Sequence, residues 1–146
     1  MEDDLLRDLQ KARSEAERIW PYISFILFEL RFVRVDSPNF KTLAVDKGWR
    51  LYWSPEFVAA CDTAELAASL LHECLHCLFE HAERFEELDC SIKDHKLWNI
   101  VGDCSINETL DEQALELPKH IKPVRFENFD GEITKEDTPE RNYFKL

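Results

Sequence analysis

The segment Ala64–Phe85, AELAASLLHECLHCLFEHAERF, decides the reading of this chain. It contains neither Gly nor Pro, and Leu66, Ala67, Leu70 and Leu71 give it an apolar, helix-forming start, so it is predicted to form one helix. Asp62, with Glu65 three residues on, reads as a capped helix start, with Thr63 as the alternative cap. Inside the segment lies His72-Glu73-Cys74-Leu75-His76, an H-E-x-x-H pattern. Side chains four apart stack on one face of a helix, so His72 and His76 can offer two imidazoles to one metal ion. Glu73 lies about a quarter turn away, placed to reach a water on that ion without ligating it. Two neutral nitrogen donors, an open position and an adjacent carboxylate base are what a zinc hydrolase needs.

Working outward, the flanks read as a mixed α/β chain. Leu5, Leu9, Ala12, Ala16 and Ile19 recur at helical spacing over residues 3–20, an amphipathic helix that Pro21 ends or kinks. Tyr22 to Leu30 is so apolar that a second, buried helical segment is predicted. Phe32–Val35, Thr42–Val45 and Trp49–Trp53 are short β-prone runs, with Asp46-Lys47-Gly48 as a hairpin turn in which Gly48 takes the left-handed position. Ser54-Pro55 reads as an N-cap and first residue of a short helix running to Cys61. After a polar connector, Glu86 to Lys93, the stretch Asp94–Leu110 is again helical, with Leu97, Ile100, Val101, Cys104 and Ile106 on its apolar side. Gly102 within it marks the close approach of another backbone. The class is therefore α+β: a small antiparallel sheet of about three strands, packed with the H-E-x-x-H helix and the helix that follows.

Composition narrows the function classes. The 146 residues are read as a single domain, with 118–146 as an acidic extension holding three of the chain's six prolines. A short helix is predicted near Glu140 to Leu146. The net charge of −12 argues against a general nucleic-acid binder, because phosphate contacts need clustered Lys and Arg. The longest apolar run, Tyr22–Phe28, is far shorter than a bilayer span of about 20 residues. Met-Glu-Asp-Asp carries the wrong charge to open a secretory signal. Five cysteines, at 61, 74, 77, 90 and 104, form no disulfide framework, and a cytoplasmic protein with reduced thiols is expected. The C-x-x-C of Cys74 and Cys77 sits mid-helix and reads as core packing rather than a redox pair.

Catalytic zinc takes three protein ligands plus water, so a third is required. Glu80, His81 and Asp103 are the candidates. On an unbroken helix His81 lies about 180° from His72, and Glu80 lies a full turn beyond the histidines, as a solvated group or an outer partner. Asp103 comes 27 residues after His76, on the next helix, which can fold back antiparallel; it is the favoured ligand. Asn107, one turn later on the same face, can hydrogen-bond within the site or cap a neighbouring element.

HECLHCLFEHAER followed by LWNIVGDCSIN (Leu97–Asn107) resembles the predicted zinc metallopeptidase domain, zincin-like, of a bacterial and phage family often fused to a von Willebrand factor A-like domain. In that family a helix reading W-N…D…I-N follows the zinc motif. The matching positions are His72, Glu73, His76, His81, Arg84, Trp98, Asn99, Asp103, Ile106 and Asn107. The likeness reaches upstream through Val45–Phe57 and downstream to Pro139–Leu146, with Gly102 in place of Ala beside Asp103 and Ser54 in place of Asn as departures. The resemblance implies a zincin-like fold and a zinc-dependent peptidase acting on peptides or proteins. It also suggests the rival class, a non-catalytic metal-holding module that works with the von Willebrand A-like domain or a MoxR-type AAA+ ATPase. No such domain lies in this chain, which leaves a stand-alone form and an excised domain both open.

The expected mechanism places zinc on His72, His76 and Asp103, with Glu73 as general base towards water and then as acid towards the leaving amine. Tyr52, His95 and His120 are candidate oxyanion donors, and the Trp49–Trp53 strand is a candidate edge for an extended substrate. A structural site closed by Cys77 or Cys104 is a third possibility. A tail that covers the cleft would make the enzyme latent until trimmed.

Overall fold

The structure is a computed structural model that describes residues 2–88 and 93–146; Cys90 and the middle of the predicted Glu86–Lys93 connector lie outside them. Helix α1 (Glu2–Ile19) is followed by a 3-10 turn (Pro21–Ile23) and a single helical turn, α2 (Ser24–Leu27). Strands β1 (Arg31–Arg34), β2 (Leu43–Val45) and β3 (Arg50–Trp53) come next, then α3 (Pro55–Ala60), α4 (Thr63–Leu78) and α5 (His81–Glu86). The chain closes with α6 (His95–Glu112), a 3-10 turn (Phe126–Phe129) and α7 (Pro139–Lys145). The α+β class with a three-stranded sheet holds.

Helix α4 is the axis of the core. Its Leu66, Leu70, Leu71 and Cys74 are buried with Leu9, Ala12 and Ala16 of α1 in one core, and α4 also packs on α2, β2, α5 and α6. The small residues of α1 let the two backbones approach closely, which buries Leu66, Leu70 and Leu71 of α4 while Leu78 at its end stays exposed. The predicted cap is formed in both directions: Glu65 N–H donates to Asp62 Oδ1 at 2.8 Å and Asp62 N–H donates to Glu65 Oε1 at 3.0 Å. Ser54 caps α3 through the Phe57 N–H, with Pro55 in the first turn, also as expected.

Four details differ from expectation. The sheet order is β1-β3-β2, and the β1–β3 pair is parallel while β2–β3 is antiparallel, so the sheet is mixed. Strand β3 is inserted between β1 and β2, so the turn after β2 returns it alongside β1 in the same direction. In the β2–β3 turn it is Trp49, not Gly48, that takes the left-handed backbone (φ 58°). Asp46 anchors that turn instead, accepting from the Arg50 N–H (3.0 Å), the Arg50 guanidinium (2.7 Å) and the Tyr52 hydroxyl (2.8 Å). The Tyr22–Leu30 segment is buried on one side only: Ile23, Ile26 and Leu27 face the core, whereas Tyr22, Phe25 and Phe28 are at least half exposed.

The fourth difference is the most consequential. The predicted helix Ala64–Phe85 breaks after Leu78, where Glu80 takes a left-handed conformation (φ 55°, ψ 40°) and α5 sets off in a new direction. Glycine normally fills that position, because a Cβ costs about 1–2 kcal/mol there. The contacts that α5 gains offset the strain. Arg84 donates to the Phe79 carbonyl and forms a two-pronged ion pair with Glu140 of α7, and the Trp98 indole N–H donates to the His81 carbonyl at 2.8 Å.

Candidate metal centre

Helix α4 presents His72 and His76 on one face, one turn apart, and α6 packs against α4 so that Asp103 meets them both. Asp103 Oδ1 lies 3.2 Å from His72 Nε2 and 3.1 Å from His76 Nε2. One ligand atom from each of these three residues lies within 4.8 Å of the others. The favoured triad is thus brought to one point. The three side chains, together with Glu73, line a cleft of about 580 Å³.

The family model described as "Putative metallopeptidase domain" matches residues 5–138. The chain belongs to that family. No curated protein and no solved structure matches it significantly. Within this metallopeptidase-domain chain, the electrostatics of the cluster follow from burial and mutual pairing. Burial pushes the Asp103 carboxyl up, but hydrogen bonds and charge from His72 and His76 outweigh it and hold the group well below the ordinary carboxylate range. Burial disfavours the charged form of His72, yet Asp103 and Glu73 reverse the balance and raise its pKa. Glu73 is 9 % exposed, and burial raises its pKa against the opposing pull of His76 and His72.

The ring nitrogens that face away from the cluster also have surroundings. Asn107 Oδ1 and His72 Nδ1 are both buried without a hydrogen-bond partner, and the Asn107 side chain acts on the His72 ring to raise its pKa. Asn107 Nδ2 is tied to the Val124 carbonyl at 2.8 Å, which fixes the amide. His76 Nδ1 lies 3.0 Å from Nδ1 of His81. This contact was not legible in the sequence: with the helix broken at Glu80, His81 comes round to His76 instead of pointing away. Gly102 also proves to face a side chain, not a backbone, since a Cβ there would sit 2.9 Å from His81 Nδ1.

Other candidates separate cleanly. Glu80 is exposed. No thiolate joins the cluster among the described residues. Cys77 lines the cleft and burial pushes its thiol up to about 12, as it does that of Cys104, but neither belongs to the His72–His76–Asp103 cluster found among the described residues. Of the three oxyanion candidates only His95 lines the cleft; Tyr52 donates to Asp46, and His120 packs edge-on to Phe57. Strand β3 is central and paired on both sides, so it offers no edge. The cleft is instead flanked by Thr42–Lys47, which includes edge strand β2. Leu117 and Ile121–Val124 form another part of its wall, while residues 125–146 take no part in the lining. No helix among the described residues is long and apolar enough to cross a membrane.

Proposed function

We propose that the chain is a zinc-dependent metallopeptidase, with residues 1–146 acting as one zincin-like domain and 118–146 as its C-terminal extension. The observation that carries this reading is the convergence of His72 Nε2, His76 Nε2 and Asp103 Oδ1 on one point of an open cleft beside a buried Glu73. His72, His76 and Asp103 would hold the ion, and two nitrogens with one oxygen, open to a cleft, fit a catalytic zinc better than a closed structural one. The far side of His72 fits too: a ligating imidazole needs a hydrogen-bond acceptor there, and Asn107, whose Oδ1 is buried and otherwise unpartnered, is the side chain that acts on the His72 ring. When bound, zinc supplies Lewis acidity to the scissile carbonyl and lowers the pKa of water towards neutrality.

Glu73 does the proton work. Its carboxylate takes a proton from the attacking water and delivers it to the nitrogen of the leaving amine. A carboxyl raised above its ordinary range by burial can hold that proton between the two events. Strand β2 pairs only with β3 among the described residues and borders the cleft, so an extended peptide can add to its free edge. Leu43, Phe57, Leu117, Ile121 and Val124 give the cleft an apolar lining suited to a hydrophobic substrate side chain. His95, at the cleft, is the donor we assign to the developing oxyanion. The free thiols at Cys61, Cys74, Cys77 and Cys104 fit a cytoplasmic location.

The test is cleavage of a peptide library by the zinc-loaded protein, read by mass spectrometry. Glu73→Gln should cut about 10²–10⁴-fold more slowly, the range for loss of a general base. Zinc bound at full occupancy with no cleavage by the wild type would favour the non-catalytic interaction module instead.

A further inference from the structure

The His76–His81 contact has a chemical consequence for the site. Two imidazole Nδ1 atoms 3.0 Å apart share one proton: one ring donates and the other accepts. If His76 accepted, its own proton would sit on Nε2, the nitrogen that faces Asp103 at 3.1 Å, and no lone pair would be left there for a metal. If His76 donates, Nε2 is free to ligate.

We infer that His81 is a positioning residue: its Nδ1 accepts the Nδ1–H of His76, fixing His76 in the tautomer and ring orientation that present Nε2 to a metal, and Gly102 is there to make room for it. This rests on the metal-site reading above. His81 is 5 % exposed, and its ring packs among those of His76, Phe79 and Trp98. The Trp98 indole N–H holds its backbone through the His81 carbonyl. On the remaining side the Gly102 position comes so close that an added Cβ would meet His81 Nδ1 at 2.9 Å and Cε1 at 3.2 Å. Among the described residues His81 Nε2 is buried without a partner, and the one hydrogen bond its ring makes there is to His76. A buried imidazole that spends its single hydrogen bond on a would-be ligand, at the end of a strained helix break, is placed to orient that ligand. His81 stands outside the His72–His76–Asp103 cluster found among the described residues.

The test compares His81→Leu with His81→Asn, two side chains of nearly the same shape, of which only Asn keeps an acceptor at the δ1 position. Zinc affinity is measured by chelator competition, and the thermal midpoint of each metal-free protein is recorded alongside. His81→Leu should raise the zinc Kd about 10–100-fold, the usual cost of losing a partner of a ligating His. His81→Asn should return it to within a few-fold of wild type. Gly102→Ala, which keeps His81 but displaces its ring, should also weaken zinc binding; it decides the matter together with His81→Asn if His81→Leu does not fold. Affinity unchanged in His81→Leu, or lost equally in Leu and Asn, overturns the inference while the metal site stands. A wild type that takes up no zinc overturns the metal-site reading and this inference with it.

Discussion

Replacing Gly102 by Ala separates the packing account of this fold from simple helix propensity, because the two predict opposite signs. Gly102 lies within α6, where Ala is favoured over Gly by about 1 kcal/mol if nothing stands in the way. Something does: the new methyl group would lie 2.9 Å from His81 Nδ1, 3.2 Å from Cε1 and 3.6 Å from Cγ. Those are ring atoms, and the ring has little freedom to retreat, hemmed in by His76, Phe79 and Trp98. Forcing an extra methyl group into a packed site costs about 1–3 kcal/mol. Subtracting the propensity gain leaves a net loss of about 1 kcal/mol, or a thermal midpoint lowered by about 3–5 °C for a chain of this size. The assay is thermal and urea unfolding of the metal-free protein, so that zinc affinity does not enter. A midpoint raised by the substitution would refute the reasoning: it would mean that His81 is not held against α6 as described.

Two further perturbations probe other parts of the architecture. Arg84 and Glu140 join α5 to α7 with contacts of 2.7 and 2.5 Å, but their side chains remain 28 % and 36 % exposed. Solvent screening therefore places their coupling at about 1 kcal/mol in a double-mutant cycle, not at the roughly 3–5 kcal/mol lost when a fully buried pair is broken; a coupling indistinguishable from zero would show that the pair does not fix α5. Asp46 is pushed up by burial, but the Arg50 N–H, the Tyr52 hydroxyl and the Arg50 guanidinium outweigh this and bring its pKa down to about 2. A depressed carboxyl stabilises the fold above its unfolded value near 4 and loses that contribution as pH falls towards 2. Asp46→Asn should consequently be less stable than wild type at pH 7, with the gap closing between about pH 4 and pH 2. A gap that stayed constant across that range would assign the effect to something other than charge.

What could be read from the sequence was what depends on local spacing. The i, i+4 histidines, the Asp62–Glu65 cap and the Ser54-Pro55 start follow from neighbours on one helix turn, and all three appear as expected. Asp103 was within reach for a similar reason, since a second amphipathic helix beside the first has few ways to turn a carboxylate towards the histidines. The break at Glu80 was not legible, because no Gly marks it and its compensation comes from residues far along the chain: Trp98 and Glu140 secure α5 in its new direction. Missing the break meant turning His81, a candidate ligand, away from His76. The one available signal was Gly102, an isolated glycine in an otherwise regular helix, which pointed to a close approach without naming the imidazole that makes it. The parallel β1–β3 pair was likewise set by the insertion of β3 between β1 and β2, not by any turn residue.

The central claim is that His72, His76 and Asp103 hold a zinc ion while Glu73 stands beside it. Elemental analysis of protein purified without added metal tests this most directly, applied to wild type, His76→Ala, Asp103→Ala and Glu73→Gln. The account predicts close to one zinc per chain in wild type and in Glu73→Gln, and a large loss in both ligand variants. Wild-type protein free of zinc even after zinc is added back, or Asp103→Ala retaining it in full, would contradict it.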